Sequence, residues 1–170
     1  AFAPTVDINF RHEGYERQHE AGLAFDQVDT ADPEGDLLAL GYDTGSSEYR
    51  VYEITTTDPG IGSATTVVAS TTKDWKTIAL AQIDDDAQLE IVLGHDNGFD
   101  VYDAVTDTFQ TLFPSASHPA DNYLRAADLD DDGYDEIVAG GYRSVFAMQL
   151  DIGDWTADHI WSREFSGIST

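Results

Sequence analysis

The sequence predicts an all-β fold in which a unit of short antiparallel strands is repeated three times. Three stretches share one pattern, in which an acidic loop leads into a short aliphatic run: 26–41, 80–95 and 126–141. Strand-like runs follow each of them, separated by turn residues such as Asn97-Gly98. The chain lacks the apolar spacing that an amphipathic helix requires.

Each unit contains four predicted strands. The first precedes the acidic loop, at 22–28, 77–83 and 123–129. The second is the aliphatic run, which ends at Gly41, Gly94 and Gly140. The third follows a turn, at 49–55, 99–105 and 145–150, and the fourth lies at 65–70, 108–113 and 155–161. In the first unit, the Thr-, Gly- and Ser-rich stretch 55–66 predicts a long loop.

The spacing of the units indicates an architecture. The three glycines are 53 and 46 residues apart, which is typical of the four-stranded antiparallel blades of a β-propeller. We therefore predict an N-terminal strand (6–10) and connector over 1–21, followed by three blades at 22–71, 72–118 and 119–170. Because propellers close with about four to eight blades, three blades predict a partial ring, part of a larger propeller in a longer parent chain, or a self-associating unit.

Composition limits the partners. The chain carries 33 acidic and 8 basic residues, for a net charge of -25, which repels nucleic acid and anionic membranes and attracts cations. The absence of cysteine excludes disulfides and thiolate metal sites. No apolar run approaches the roughly 18 residues of a membrane-spanning helix, so membrane insertion is not expected. Adaptation to high salt is an alternative explanation of the acidity.

The third acidic loop has the pattern of a cation site. Asp128, Asp130 and Asp132 occupy alternate positions, Gly133 allows a left-handed turn, and Glu136 begins the aliphatic run. Ca²⁺ takes six to eight oxygen ligands, and the backbone carbonyl of Tyr134 supplies a further one. This loop therefore predicts a Ca²⁺ site.

The other two loops depart from this pattern. In the second, Gln82 replaces the first acid and Ala87 replaces the glycine. Its candidate ligands are Asp84, Asp86, Gln88 and Glu90. The first loop has lost the spacing, with Pro33 where the glycine should be, and its candidate ligands are Asp29, Asp32 and Asp36. We expect the departures to weaken binding, so that the third loop is the strongest site and the first loop is mainly a structural turn.

The stretch 128–140, DLDDDGYDEIVAG, resembles the FG-GAP/VCBS repeat of integrin α-subunit propellers and many bacterial extracellular proteins. The resemblance implies a β-propeller with Ca²⁺ in loops between the first two strands of some blades. It assigns ligand positions to Asp128, Asp130, Asp132, Glu136 and the backbone of Tyr134. Glu136 differs from the Asp that is commoner at the closing position.

These observations favour a calcium-binding extracellular module for adhesion or protein–protein scaffolding. Millimolar extracellular calcium fills weak oxygen sites, so we expect a secreted, cell-surface or periplasmic protein. We do not expect an enzyme, because no nucleophile elbow, phosphate loop or zinc-protease histidine spacing occurs. Two alternatives stay open: a non-catalytic propeller domain of a larger secreted enzyme, and a lectin whose glycan stacks on Trp75, Tyr142, Trp155 or Trp161.

Overall fold

The computed structural model describes residues 23–26, 36–57, 60–112, 120, 123–141 and 144–164. Within these residues it is all-β, with twelve strands in three four-stranded antiparallel sheets and no helix. The described chain therefore holds no helix long and apolar enough to cross a membrane. The predicted N-terminal strand and connector lie outside the described residues.

The strands follow one another in chain order within each sheet. Sheet 1 contains β1 (Leu23–Asp26), β2 (Asp36–Asp43), β3 (Glu48–Thr57) and β4 (Gly60–Ser70). Sheet 2 contains β5 (Thr77–Ala81), β6 (Glu90–His95), β7 (Gly98–Asp103) and β8 (Thr108–Leu112). Sheet 3 contains β9 (Tyr123–Ala127), β10 (Glu136–Gly140), β11 (Ser144–Asp151) and β12 (Thr156–Glu164). The expectation of an all-β fold with three four-stranded antiparallel sheets is confirmed.

The predicted long loop at 55–66 is wrong. β3 continues to Thr57 and pairs with β4, so that Thr57 lies opposite Gly60. Two register shifts, at Val51/Tyr52 and Thr55/Thr56, interrupt this pairing. The Thr-rich composition favours extended backbone because β-branched residues fit a pleated sheet, and the bulges accommodate the unequal strand lengths.

The hairpin turns use aspartate and a left-handed residue. In the β7–β8 turn, Asp103 Oδ1 accepts hydrogen bonds from Val105 N (2.8 Å) and Thr106 N (3.1 Å), and Asp107 has φ 51°. Asp43 and Asp151 begin similar turns in sheets 1 and 3. The predicted Asn97-Gly98 hairpin is present, with Gly98 at φ 129° opposite His95. Side chains that bond to the local backbone thus fix where these hairpins reverse.

The three sheets pack in sequence, with sheet 2 in the middle. Ile91 and Leu93 of β6 pack toward sheet 1, whereas Val92 packs toward sheet 3. All six residues of β6 are buried, as expected for a strand covered on both faces. The first strands of the sheets lie together, β1 against β5 and β5 against β9.

The three repeat units align at the acidic residue that begins the second strand of each sheet. Asp36, Glu90 and Glu136 are the first residues of β2, β6 and β10. When these acids are aligned, Leu38 corresponds to Val92, and both side chains face the following sheet. Aligning Gly41 with Gly94, as the sequence suggested, would shift sheet 1 by one residue and reverse its faces.

The outer face of sheet 3 is partly apolar and exposed. Val138 occupies the position of Val92, but no described sheet covers it. The strand pairing places Tyr123 and Trp161 on the same face, where they are 58% and 42% exposed. This face of sheet 3 corresponds to the face of sheet 2 that packs against sheet 3.

Candidate metal centre

The loop between β9 and β10 is folded around the Asp128 carboxylate. Asp128 Oδ1 accepts hydrogen bonds from Asp131 N (2.6 Å) and Asp132 N (3.2 Å), and Oδ2 accepts one from Gly133 N (3.0 Å). Asp131 and Gly133 have φ of 66° and 97°, so the left-handed turn predicted at Gly133 is confirmed. These bonds hold the loop in a tight coil above the start of β10.

Glu136 points into this coil from the buried end of β10. Its side chain is 0% exposed, and Oε2 accepts a hydrogen bond from Leu129 N at 2.7 Å. The other oxygen, Oε1, has no hydrogen-bond partner. Carboxylate oxygens of Asp128, Asp130 and Glu136 all lie within 4.8 Å of one another. An unpaired buried oxygen is costly, and a hard cation among these oxygens would satisfy it.

The side chains of Asp132 and Tyr134 have partners outside this carboxylate group. Asp132 Oδ1 accepts a hydrogen bond from Tyr134 N (2.9 Å), and Oδ2 accepts one from Gln149 Nε2 (3.1 Å). The Tyr134 hydroxyl donates to Asp85 of the neighbouring loop. The structure therefore brings three of the four predicted acids together and places Asp132 beside β11.

The loop between β5 and β6 contains a second group of carboxylates. Asp84, Asp86 and Glu90 have carboxylate oxygens within 4.8 Å of one another. Asp84 accepts a hydrogen bond from Asp86 N (2.8 Å), and Asp86 accepts one from Gln88 N (2.7 Å). Glu90 Oε2 accepts one from Ile83 N (2.9 Å), which matches the bond that Glu136 makes.

Glu90 and Asp84 of this second loop have raised pKa values. Burial raises the pKa of Glu90 to about 8, and the nearby Asp84 and Asp86 add to the rise. Burial also raises the pKa of Asp84. In the metal-free loop Glu90 therefore keeps its proton at pH 7, which reduces the repulsion among the three groups.

Gln82 occupies part of the second loop. Its side-chain Nε2 donates hydrogen bonds to the carbonyl oxygens of Asp84 (2.5 Å) and Asp86 (2.7 Å). Ala87 does not adopt a left-handed φ, so the second loop follows a different path from the third. An internal amide here does the bridging that the Asp128 carboxylate does in the third loop.

The first loop cannot be compared in the same way. Asp29 and Asp32 lie outside the described residues. Asp36 begins β2 opposite Asp26, and the structure describes its backbone only. Its candidate ligands therefore stay predictions.

Sequence reasoning missed a buried polar cluster beside Trp75. The Asp100 carboxylate is 0% exposed and accepts a hydrogen bond from Trp75 Nε1 at 2.7 Å. Lys73 Nζ lies 3.3 Å from Asp100 Oδ1, and His95 Nε2 lies 3.6 Å from the same oxygen. The chain's two lysines, Lys73 and Lys76, flank Trp75. In so acidic a chain, this pairing was the sequence feature that could have indicated a buried acidic partner.

The aromatic residues proposed for sugar stacking have separate environments. Trp75 is 2% exposed and committed to Asp100. Trp155 is half-buried against the cluster between sheets 2 and 3. Tyr142 lies outside the described residues. Of these four, Trp161 is therefore the one that the described structure shows exposed.

Comparison with models of protein families, with curated proteins and with solved structures finds no match to this chain.

Proposed function

We propose that this chain is a calcium-binding β-propeller module that serves extracellular protein–protein interaction. The observation that supports it best is the buried Glu136 oxygen without a hydrogen-bond partner, beside the carboxylates of Asp128 and Asp130. Asp128, Asp130 and Glu136 would hold the ion. Asp132 and the backbone carbonyl of Tyr134 are the further candidates within the loop.

The donor set favours Ca²⁺ over other common ions. The acids of both carboxylate groups offer oxygen only, which suits hard cations rather than zinc or copper. Mg²⁺ demands a compact octahedron and gives up its water reluctantly, whereas Ca²⁺ tolerates irregular oxygen ligands. The ion would be structural, since its binding energy adds to the free energy of folding.

The arrangement of the sheets supports the propeller proposal. Each sheet has four antiparallel strands in chain order, the first strands lie together, and consecutive sheets pack face to face. The carboxylate groups lie between the first two strands of sheets 2 and 3, where the FG-GAP/VCBS resemblance expects them. A further sheet of the same kind would cover the outer face of sheet 3.

An extracellular setting follows from the proposed ion. Loops of this kind bind calcium well at millimolar concentration and poorly at the far lower concentration of the cytosol. The partner is proposed to be a protein, because the outer face of sheet 3, where no further described sheet covers it, offers the exposed rings of Tyr123 and Trp161.

The calcium proposal is tested by thermal unfolding with chelator and with added ion. We expect calcium to raise the melting temperature of the wild type by several degrees, since a ligand at 100 times its dissociation constant contributes about 2.7 kcal/mol. Magnesium is expected to rescue poorly. Asp130→Asn should remove most of the calcium effect.

Asp131→Asn is the matched control, since it removes the same charge from the same loop. Asp131 lies outside the carboxylate group, and asparagine tolerates its left-handed φ. An equal calcium response in the wild type and both variants would refute the proposed site.

A further inference from the structure

The two acidic loops are joined across the interface between sheets 2 and 3. Asp135 N donates a hydrogen bond to Gln82 O at 2.7 Å, and Gln82 N donates one to Asp135 Oδ2 at 2.8 Å. The Tyr134 hydroxyl donates a third bond, to Asp85. We call these three bonds the clasp. They link residues that are 49 and 53 positions apart in the chain.

The clasp begins inside the proposed calcium loop. Tyr134 and Asp135 lie between Asp130 and Glu136, two of the three carboxylates that converge there. Without a cation these carboxylates repel one another at close range. A loop that relaxes to separate them must move the residues between them, and those residues make the clasp.

The clasp ends on the residue that organises the second loop. Gln82 bonds to Asp135 through its backbone N and O. Its side chain meanwhile bonds to the carbonyl oxygens of Asp84 and Asp86. The position of Gln82 therefore depends on the third loop, and the path of the second loop depends on Gln82.

We propose that cation binding at Asp128, Asp130 and Glu136 orders the second loop through the clasp. The ion then fixes the contact between two sheets as well as one turn. This inference rests on the proposed function, because it assumes that the third loop binds calcium. The coupling is regulatory. The cation bound in the third loop sets the conformation available to Asp84, Asp86 and Glu90 in the second loop.

Hydrogen exchange of single amides, with calcium and with chelator, tests the coupling. The amides of Asp131, Asp132 and Gly133 bond to Asp128 and report on the third loop. The amides of Gln82, Asp86 and Gln88 report on the second. In the wild type we expect calcium to slow exchange in both groups, by about tenfold or more in the second loop.

Asp135→Ala removes the one bond of the clasp that the Asp135 side chain makes, from Gln82 N to Asp135 Oδ2, and Asp135→Asn is its matched control. Both variants remove one charge, but asparagine keeps an oxygen that can accept from Gln82 N. We expect calcium to protect the third loop in both variants and the second loop in Asp135→Asn alone. Unchanged exchange in the strand amides of β6 and β7 would show that both variants fold.

Three results would overturn the coupling. Calcium protection of the third loop of the wild type without protection of the second would refute it and leave the proposed function standing. Full calcium protection of Asp86 and Gln88 in Asp135→Ala would refute coupling through the Asp135 side chain. No protection in either loop would refute the calcium site together with the coupling.

A second variant covers the case in which Asp135→Ala does not fold. Asp130→Asn weakens the cation site and leaves every bond of the clasp in place. With calcium present, its second loop should exchange as fast as that of the metal-free wild type. Calcium protection of Gln82, Asp86 and Gln88 in this variant would contradict the proposal.

Discussion

Single residues distinguish the two acidic loops that the sequence makes look alike. Glu90 and Glu136 begin equivalent strands and accept equivalent backbone bonds, from Ile83 N and Leu129 N. The difference lies at the first position, where Asp128 supplies a carboxylate and Gln82 supplies an amide. A carboxylate leaves negative charge for an ion to neutralise, whereas an amide donates its hydrogens within the loop.

The motif expects glycine at the positions of both Gly133 and Ala87, whereas the structure has a left-handed φ at Gly133 but not at Ala87. Gly133 has φ 97°, so Gly133→Ala should lower the free energy of unfolding by about 1–2 kcal/mol, although a methyl group meets no atom within 4 Å. Ala87 lacks a left-handed φ. Ala87→Gly should therefore destabilise by about 0.5–1 kcal/mol, because it adds only freedom to the unfolded chain.

Urea unfolding of both variants in chelator measures these differences. Stabilisation by Ala87→Gly would mean that the second loop prefers the path of the third and that Ala87 prevents it.

Asp100 gives a prediction about pH. Burial by itself raises the pKa of this carboxyl, but the nearby polar groups of His95 and Thr111 and the hydrogen bond from Trp75 outweigh burial and hold the pKa below its ordinary value of 3.8. The folded state thus favours the charged form. The contribution of Asp100 to the free energy of unfolding is present above pH 4 and is lost as the pH falls through the lowered pKa. Asp100→Asn should cost about 1–3 kcal/mol at pH 7.

The stability curves of wild type and Asp100→Asn should therefore converge below pH 4. Asp154→Asn, at an exposed turn, is the control for lost charge and should follow the wild type. A constant difference between wild type and Asp100→Asn down to pH 2 would contradict this account.

At the scale of strands, predictions succeeded where the local pattern matched the tertiary surroundings. The acidic loops, the short aliphatic runs and the turn at Asn97-Gly98 were predictable from the sequence, because their side chains bond locally or form a continuous apolar strand. The extension of β3 and β4 was not predictable from the sequence. Thr and Gly suit either a loop or a twisted edge hairpin, and only the partner strand decides between them.

The carboxylate sites were predictable to a similar extent. Spacing placed Asp128, Asp130 and Glu136 together, since the first two belong to one short loop and Glu136 begins the strand that follows it. The turn of Asp132 toward Gln149 and the entry of Gln82 into the second loop depend on β11 and on Asp135. Those residues are distant in the chain, so no local pattern reports them.

A substitution at Gly94 of β6 tests how closely sheet 2 packs against Ala120, which precedes β9. A Cβ at Gly94 would lie 2.2 Å from both Ala120 O and Thr77 Oγ1, which are themselves hydrogen-bonded at 2.7 Å. Gly94→Ala should therefore destabilise by about 1–3 kcal/mol. At Gly41 a Cβ would meet the Tyr52 ring at 3.2 Å, and that ring can move.

Thermal unfolding of Gly94→Ala and Gly41→Ala compares the two positions. We expect the larger loss at Gly94, and an equal or larger loss at Gly41 would show that the Thr77–Ala120 contact yields easily.

At the scale of the whole molecule, a net charge of -25 opposes compaction. Raising NaCl from low ionic strength to 1 M shortens the Debye length to about 3 Å. We expect this to raise the melting temperature of the wild type and of Asp130→Asn by the same amount in chelator. Added calcium at 1 mM should raise that of the wild type far more.

This comparison separates general screening from a specific site. A calcium response that is equal in the two proteins, and no larger than that of NaCl at matched ionic strength, would favour salt adaptation as the cause of the acidity.

The central place of sheet 2 has a consequence for how the chain comes apart. Among the described residues, sheets 1 and 3 each bury apolar residues against one neighbour, whereas sheet 2 buries them against both. Loss of an outer sheet uncovers a single apolar layer, but loss of sheet 2 would uncover two. Melting should therefore start at the ends and reach β6 last, so its amides define the global unfolding limit and the outer strands serve as early reporters of damage.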